Sequence, residues 1–382
     1  MPDGDVVNTK TDGPWWVNRR EELLSIATTT SPVIVYDDET INEAFFDLLC
    51  IQGLDRLLYS PVHNAHPRII EKIIRLRAFL KCSSLDELGA LTKAYPRVEG
   101  ERVVLSLVAS ESSGYSQISK QGIETILAAA GDLKRFEGLS RRLFLYIPLD
   151  EGKGGGAPGK GEPLYSLSKA TDESLEAISG VEGLAVGVGS KGSFSHDLDF
   201  LLDIVTRIRE CFHQVAVVIL HKCMGIEKSE DSGYPDILGT QKRYQVLTEA
   251  FPGIRFWADP EELVIEHVGG LVVTLVDVEK DGPSNFINIP FPPRFLEPLG
   301  KKGMLDTIYN LSTEELFKGE LVLGDPGSGM GLESSFRVNG EVSKGDVIFI
   351  KGVGALGMRL DQIGPLVPVH YLCARRMCTV RL

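Results

Sequence analysis

The chain has 382 residues, with 40 Lys and Arg against 53 Asp and Glu, a formal charge of −13. Hydrophobic residues make up 43% and charged residues 24%, the balance of a globular protein with enough chain for about two domains. The acidic surplus argues against nucleic acid or an anionic membrane as the partner, since neither gains counterion release from such a surface. No apolar run approaches the ~18 residues of a membrane span.

The start, Met1-Pro2-Asp3-Gly4-Asp5, is acidic and polar, the opposite of a signal peptide. Residues 1–30 read as an N-terminal arm, in which Pro14-Trp15-Trp16 leads into a predicted helix over 19–27. An apolar run over 33–37 predicts a strand, and Glu39-Thr40-Ile41 opens a helix. Strands are then predicted over 56–60, 78–83, 103–108, 125–129, 143–149, 184–189, 215–220 and 254–258. Amphipathic stretches such as 67–76 and 201–211 separate them, with apolar residues at helical spacing. Eight apolar strands alternating with helices predict an α/β fold, a (β/α)8 TIM-type barrel over 31–260. The alanines of 125–129 suit a helix as well as a strand. After Pro260 the rhythm changes to β-rich runs over 263–276, 285–289, 321–323, 347–350 and 367–372, separated by Gly- and Pro-containing turns. These predict a C-terminal antiparallel β domain over 261–382, which the strand at 33–37 is expected to join. The six cysteines, at 50, 82, 211, 223, 373 and 378, include no CxxC pair, so reduced thiols in a cytoplasmic protein are expected.

Gly154 to Gly159-Lys160 has the spacing of a phosphate loop. The residues that follow, Gly161-Glu162-Pro163, supply neither the hydroxyl for Mg2+ nor a helix start. A loop is the better reading.

Seven short segments, in order, resemble the fold-type III pyridoxal-phosphate (PLP) decarboxylases, the ornithine and diaminopimelate decarboxylase group. Thr30-Ser31-Pro32-Val33-Ile34-Val35-Tyr36-Asp37 is similar to its T-P-x-x-V-Y-D strand. Leu58-Tyr59-Ser60-Pro61-Val62-His63-Asn64-Ala65-His66-Pro67 is similar to Y-A-x-K-A-N-x-x-P, and Lys81-Cys82-Ser83-Ser84-Leu85-Asp86-Glu87-Leu88 to D-x-x-S-x-x-E-L. Gly187-Val188-Gly189-Ser190 resembles H-x-G-S, and Ala258-Asp259-Pro260-Glu261-Glu262 resembles the E-P-G-R turn. Leu323-Gly324-Asp325-Pro326 resembles the G-P before the general-acid Cys. Gly345-Asp346-Val347 with Gly354-Ala355-Leu356 resembles G-D…G-A-Y. The resemblance implies an alanine racemase-like barrel followed by a β domain. It also implies a dimer, either of two identical chains or with a paralogue.

The departures fall on the cofactor contacts that the resemblance implies. Val62 stands where the Schiff-base lysine would be, and Gly187 where an imidazole would stack on the pyridine ring. Glu262 replaces the phosphate-binding Arg, Ser328 the general-acid Cys, Gly329 the substrate-binding Asp and Leu356 a phosphate-contacting Tyr. Asp259 and Ser190 keep related chemistry as ligand-binding positions. Lys169 matches a lysine of the family's S-x-K-F-G segment. PLP is therefore not expected in the usual mode.

Barrel ligands sit at the C-terminal strand ends. Three candidates for chemistry follow: His63 and Lys81, near the ends of the first two strands, and Ser328. His63, His66 and His221, with Asp259 nearby, are a candidate divalent-metal set, the alternative being that the two loop histidines are merely polar. Lys81 either relocates the imine-forming amine, or neutralises Asp37 or Asp259, or snorkels to solvent. The ligand expected at the mouth is a small amino-acid- or polyamine-like molecule. Three functions remain open: a PLP-independent step on such a molecule, a non-catalytic homologue paired with an active paralogue, and a PLP enzyme using Lys81.

Overall fold

The computed structural model describes residues 14–107, 118, 120–129, 132–136, 138–149, 183–188, 198–213, 215–221, 226–228, 235–281, 284–289, 308–317, 319–322, 334–338, 341–354 and 369–373. They divide into two compact units. One takes the described residues up to Thr40 and from Glu266 onward, the other Ile41–Ile265.

The second of these units is a closed barrel. Its eight strands, in order, are Leu54–Tyr59, Phe79–Cys82, Val103–Ser106, Thr125–Ala128, Arg142–Leu149, Gly183–Val188, Val217–Leu220 and Arg255–Ala258. All neighbouring pairs are parallel, and the eighth strand closes the ring by pairing with both the seventh and the first. Each strand lies within two residues of its expected bounds. The continuous apolar runs follow from burial on both faces, interior on one side and helices on the other. The segment 125–129, open to a helical reading, is a strand because it completes the ladder between its two neighbours.

Strand alternation sets up the site. Leu58, Val104, Leu127, Phe144, Val217, Ile219 and Trp257 form one buried interior cluster, with Phe79 and Tyr146 packed against it. Side chains two residues further along a strand share its face. Ser60, Lys81, Tyr146, His221 and Asp259 therefore form the next interior layer, at the C-terminal mouth. Two residues back, Arg56 lays its guanidinium 4.2 Å from the Phe79 ring centre and 4.4 Å from that of Trp257. The Trp257 indole donates to Asp55 at 2.8 Å.

The other unit holds two sheets. Its larger sheet runs Glu315–Phe317, Ile308–Asn310, Val347–Lys351, Gly269–Thr274, Val33–Asp37, Val369–Leu372. The smaller runs Val278–Asp281, Ser284–Ile289, Ser334–Val338, Gly319–Val322. Val33–Asp37 is antiparallel to Gly269–Thr274 but parallel to Val369–Leu372, so the larger sheet is mixed rather than wholly antiparallel as expected. The run expected as one strand over 263–276 divides into a helix, Leu263–Glu266, and the strand Gly269–Thr274. Leu, Val and Ile satisfy either state when buried, and the glycines at 269 and 270 mark where the strand begins. A Cβ at Gly270 would lie 2.0 Å from the Phe349 ring, so the sheet admits no side chain there. Two N-terminal helices, Trp15–Asn18 and Arg20–Thr29, contribute Trp15, Trp16, Leu23 and Ala27 to this unit's core, beside Val33, Val35, Val272 and Phe349.

Candidate functional site

The mouth layer centres on Asp259, one residue past the eighth strand and fully buried. Its Oδ2 accepts from the Lys81 ammonium and, at 2.7 Å, from His221 Nδ1. Oδ1 accepts the Glu261 backbone N–H at 3.3 Å. Three different strands thus deliver one carboxylate and its two basic partners to one point. Burial alone would raise the Asp259 carboxyl, but Lys81 and His221 more than reverse it and hold the group well below the usual carboxylate range. Burial alone would likewise lower the Lys81 amine, and Asp259 outweighs that, so Lys81 is held above its ordinary value and stays protonated. A protonated, ion-paired amine is a charge and a hydrogen-bond donor rather than a nucleophile. Of the roles open to Lys81, pairing with Asp259 is the one seen. Asp37 instead pairs with Arg19 at 3.2 Å in the other unit.

Tyr146, from the fifth strand, packs its ring edge-on against His221 at 5.6 Å. Burial raises its hydroxyl, against an opposing pull from Lys81. The bond from His221 Nδ1 to Asp259 fixes the imidazole tautomer, the arrangement by which carboxylates orient histidines for proton transfer.

The loop after the first strand is pinned internally. Tyr59 donates its hydroxyl to the Asn64 carbonyl at 2.7 Å, His63 N–H to the Ser60 carbonyl at 3.1 Å, and His66 N–H to Asn64 Oδ1 at 2.9 Å. His66 caps the helix Pro67–Arg75, its Nδ1 accepting from Arg68 N–H at 3.3 Å, with Pro67 at the first helical position. Burial, with Arg68 adding to it, pushes the His66 imidazole down to about 4. His63 Nδ1 lies 3.3 Å from Glu262 Oε2. Val62 is exposed.

The three histidines expected as one metal set therefore take three separate partners: His63 meets Glu262, His66 a helix N-terminus and His221 Asp259. Among the described residues, the group with metal-ligand proximity is His63, Glu261 and Glu262. The sequence marks Glu262 only as the replacement of a phosphate-binding Arg, and it does not single out Glu261 or Tyr146. Tyr146 sits two residues beyond the interior Phe144, so strand alternation would have found it. Glu87 also lies near the mouth, and burial raises its carboxyl. Its Oε2 accepts Ser83 N–H at 2.6 Å while Ser84 accepts Glu87 N–H at 3.1 Å, which makes it a helix-capping glutamate. Ser190, Lys169 and Ser328 lie outside the described residues.

Among the described residues, no helix is long and apolar enough to cross a membrane. No family model and no curated protein matches the chain. Solved structures do. The arginine decarboxylase of Paramecium bursaria Chlorella virus bound to agmatine is 12% identical, covers 93% of this chain and 99% of its own, and superposes with a TM-score of 0.66. SrLDC in complex with PLP and cadaverine is 12% identical, over 92% of this chain and 93% of its own, with a TM-score of 0.66. The lysine/ornithine decarboxylase of Vibrio vulnificus with putrescine is 10% identical, over 94% and 98%, with a TM-score of 0.65. The chain shares the fold of these decarboxylases along nearly its whole length.

Proposed function

We propose that the barrel mouth acts on a small amino-acid- or polyamine-like molecule without pyridoxal phosphate. The observation that carries this reading is the state of Asp259. In the resemblance, this carboxylate is the one that would meet the pyridine nitrogen of PLP. Here it is fully buried, and both oxygens are taken by Lys81, His221 and the Glu261 backbone. The lysine that would form the imine falls on Val62, and the described amine nearest in role, Lys81, is held protonated. Glu262, in place of a guanidinium, repels a phosphate dianion. These donors do not fit the cofactor, and no step is routed through it.

In its place, Lys81 supplies a fixed positive charge for a ligand carboxylate or developing oxyanion. His221, oriented by Asp259, holds or moves a proton. A ligand of this class is in keeping with the agmatine, cadaverine and putrescine held by the similar structures.

Thermal unfolding of the full chain with agmatine, cadaverine, putrescine and their parent amino acids tests this. A ligand at a hundredfold its Kd is expected to stabilise the chain by about 2.7 kcal/mol, and Lys81→Met is expected to abolish the effect. No stabilisation by any of these molecules contradicts the reading and favours the non-catalytic homologue. A PLP adduct on Lys81 favours the relocated-lysine enzyme.

A further inference from the structure

We propose that His63, Glu261 and Glu262 bind one divalent transition-metal ion of the zinc class, at the rim between the eighth and first barrel strands. One ligand atom from each lies within 4.8 Å of the other two, and all three residues are half-buried. His63 Nδ1 and Glu262 Oε2 stand 3.3 Å apart. That is long against the preferred ~2.9 Å of a direct N–H···O bond. Ligands at ~2.0–2.1 Å around a tetrahedral ion are separated by about 3.3 Å. The pair already spans one edge of such a shell.

Donor type agrees. Two carboxylates and an imidazole are donor types that such an ion takes. An imidazole among the donors selects a first-row transition ion over Mg2+ or Ca2+, which prefer all-oxygen shells.

Ser60 supplies a second, independent observation. It is fully buried, and its Oγ has no hydrogen-bond partner among the described residues. Leu58 faces the barrel interior, so Ser60, two residues on, faces the mouth. Ser60 accepts the His63 N–H at its carbonyl at 3.1 Å, so its hydroxyl sits in the same short turn that carries the imidazole ligand. A buried hydroxyl left without a partner is costly, and a water completing a three-ligand metal shell would satisfy it. His66 and His221 stay outside the set, held by their own partners. The site is independent of the amine-binding reading, and failure of either leaves the other standing.

The test uses the full-length chain, stripped with a chelator and dialysed against Zn2+, with Mg2+ as control. One Zn2+ per chain is expected, with Mg2+ failing to compete. His63→Ala and Glu262→Gln are each expected to weaken binding at least tenfold while the circular dichroism spectrum stays unchanged. X-ray absorption of the wild-type zinc form adds a readout that does not depend on any variant folding, with one imidazole and otherwise oxygen donors expected. No stoichiometric uptake, unchanged binding in both variants, or a shell containing sulfur or more than one imidazole overturns the proposal.

Discussion

The two ends of the barrel each hold a cation against the interior, and they do so by different physics. At the N-terminal end, Arg56 lies over the faces of Phe79 and Trp257, and burial, with Arg142 and Arg255 adding to it, lowers its guanidinium. At the C-terminal end, Lys81 is tied to a buried carboxylate that also holds His221, and it is raised instead. Aromatic faces make a tolerant, weakly directional seat for charge, whereas a shared carboxylate fixes the position and proton of each partner. One end is packing. The other is a poised polar site, the usual division of labour in this architecture.

Substitutions at both ends probe that contrast. Trp257→Ala removes the ring that joins Phe79 and Phe144 in the interior cluster. It is expected to cost about 3–5 kcal/mol in urea unfolding, the largest effect at the packed end. Lys81→Met leaves Asp259 buried with half its compensation and is expected to cost a comparable ~3–5 kcal/mol. Adding Asp259→Leu should recover most of that loss, and a double variant as unstable as the single would contradict the ion-pair account. Arg56→Met should cost only about 0.5–2 kcal/mol, and high salt should change the wild-type value little. Smallest is the cap. His66→Ala should cost about 1 kcal/mol, while His66→Asn should keep the cap to within a few tenths.

His66 also carries a pH signature. Its folded pKa of about 4 lies below the ordinary value of 6.5, so the unfolded chain binds the extra proton first as pH falls. The contribution is present above about pH 6.5 and is lost down to about pH 4. His66→Asn should remove that part of the acid limb in a pH series of urea midpoints.

The barrel was readable because strands covered on both faces leave continuous apolar runs with turn residues between them. Short, half-exposed strands leave no such mark. Val278–Asp281 (Val-Glu-Lys-Asp) and Glu315–Phe317 (Glu-Leu-Phe) are set by their partners across the sheet rather than by their own composition. Leu263–Glu266 was misread as strand because apolar content does not distinguish a short buried helix from a short buried strand. At the site, Lys81, His221 and Asp259 were each legible as strand-end polar residues. Which of them pair was not, because the contacts close over 178 residues for Lys81. The separate partners of the three histidines were hidden for the same reason: chain proximity of His63 and His66 says nothing about where each imidazole turns. Glu261 holds a left-handed φ of 49° at the turn where the resembling family has glycine. Its carboxylate reaches the rim through a backbone state that residue type alone would not suggest.

The central claim is that Asp259 has claimed Lys81 and that the mouth works without PLP. Incubating the full-length chain with pyridoxal phosphate, reducing with borohydride and mapping modified lysines by mass spectrometry tests it most directly. The account predicts no stoichiometric adduct at Lys81, in wild type or after dialysis. A single reduced adduct on that residue, with an imine absorbance band that survives dialysis, would contradict it.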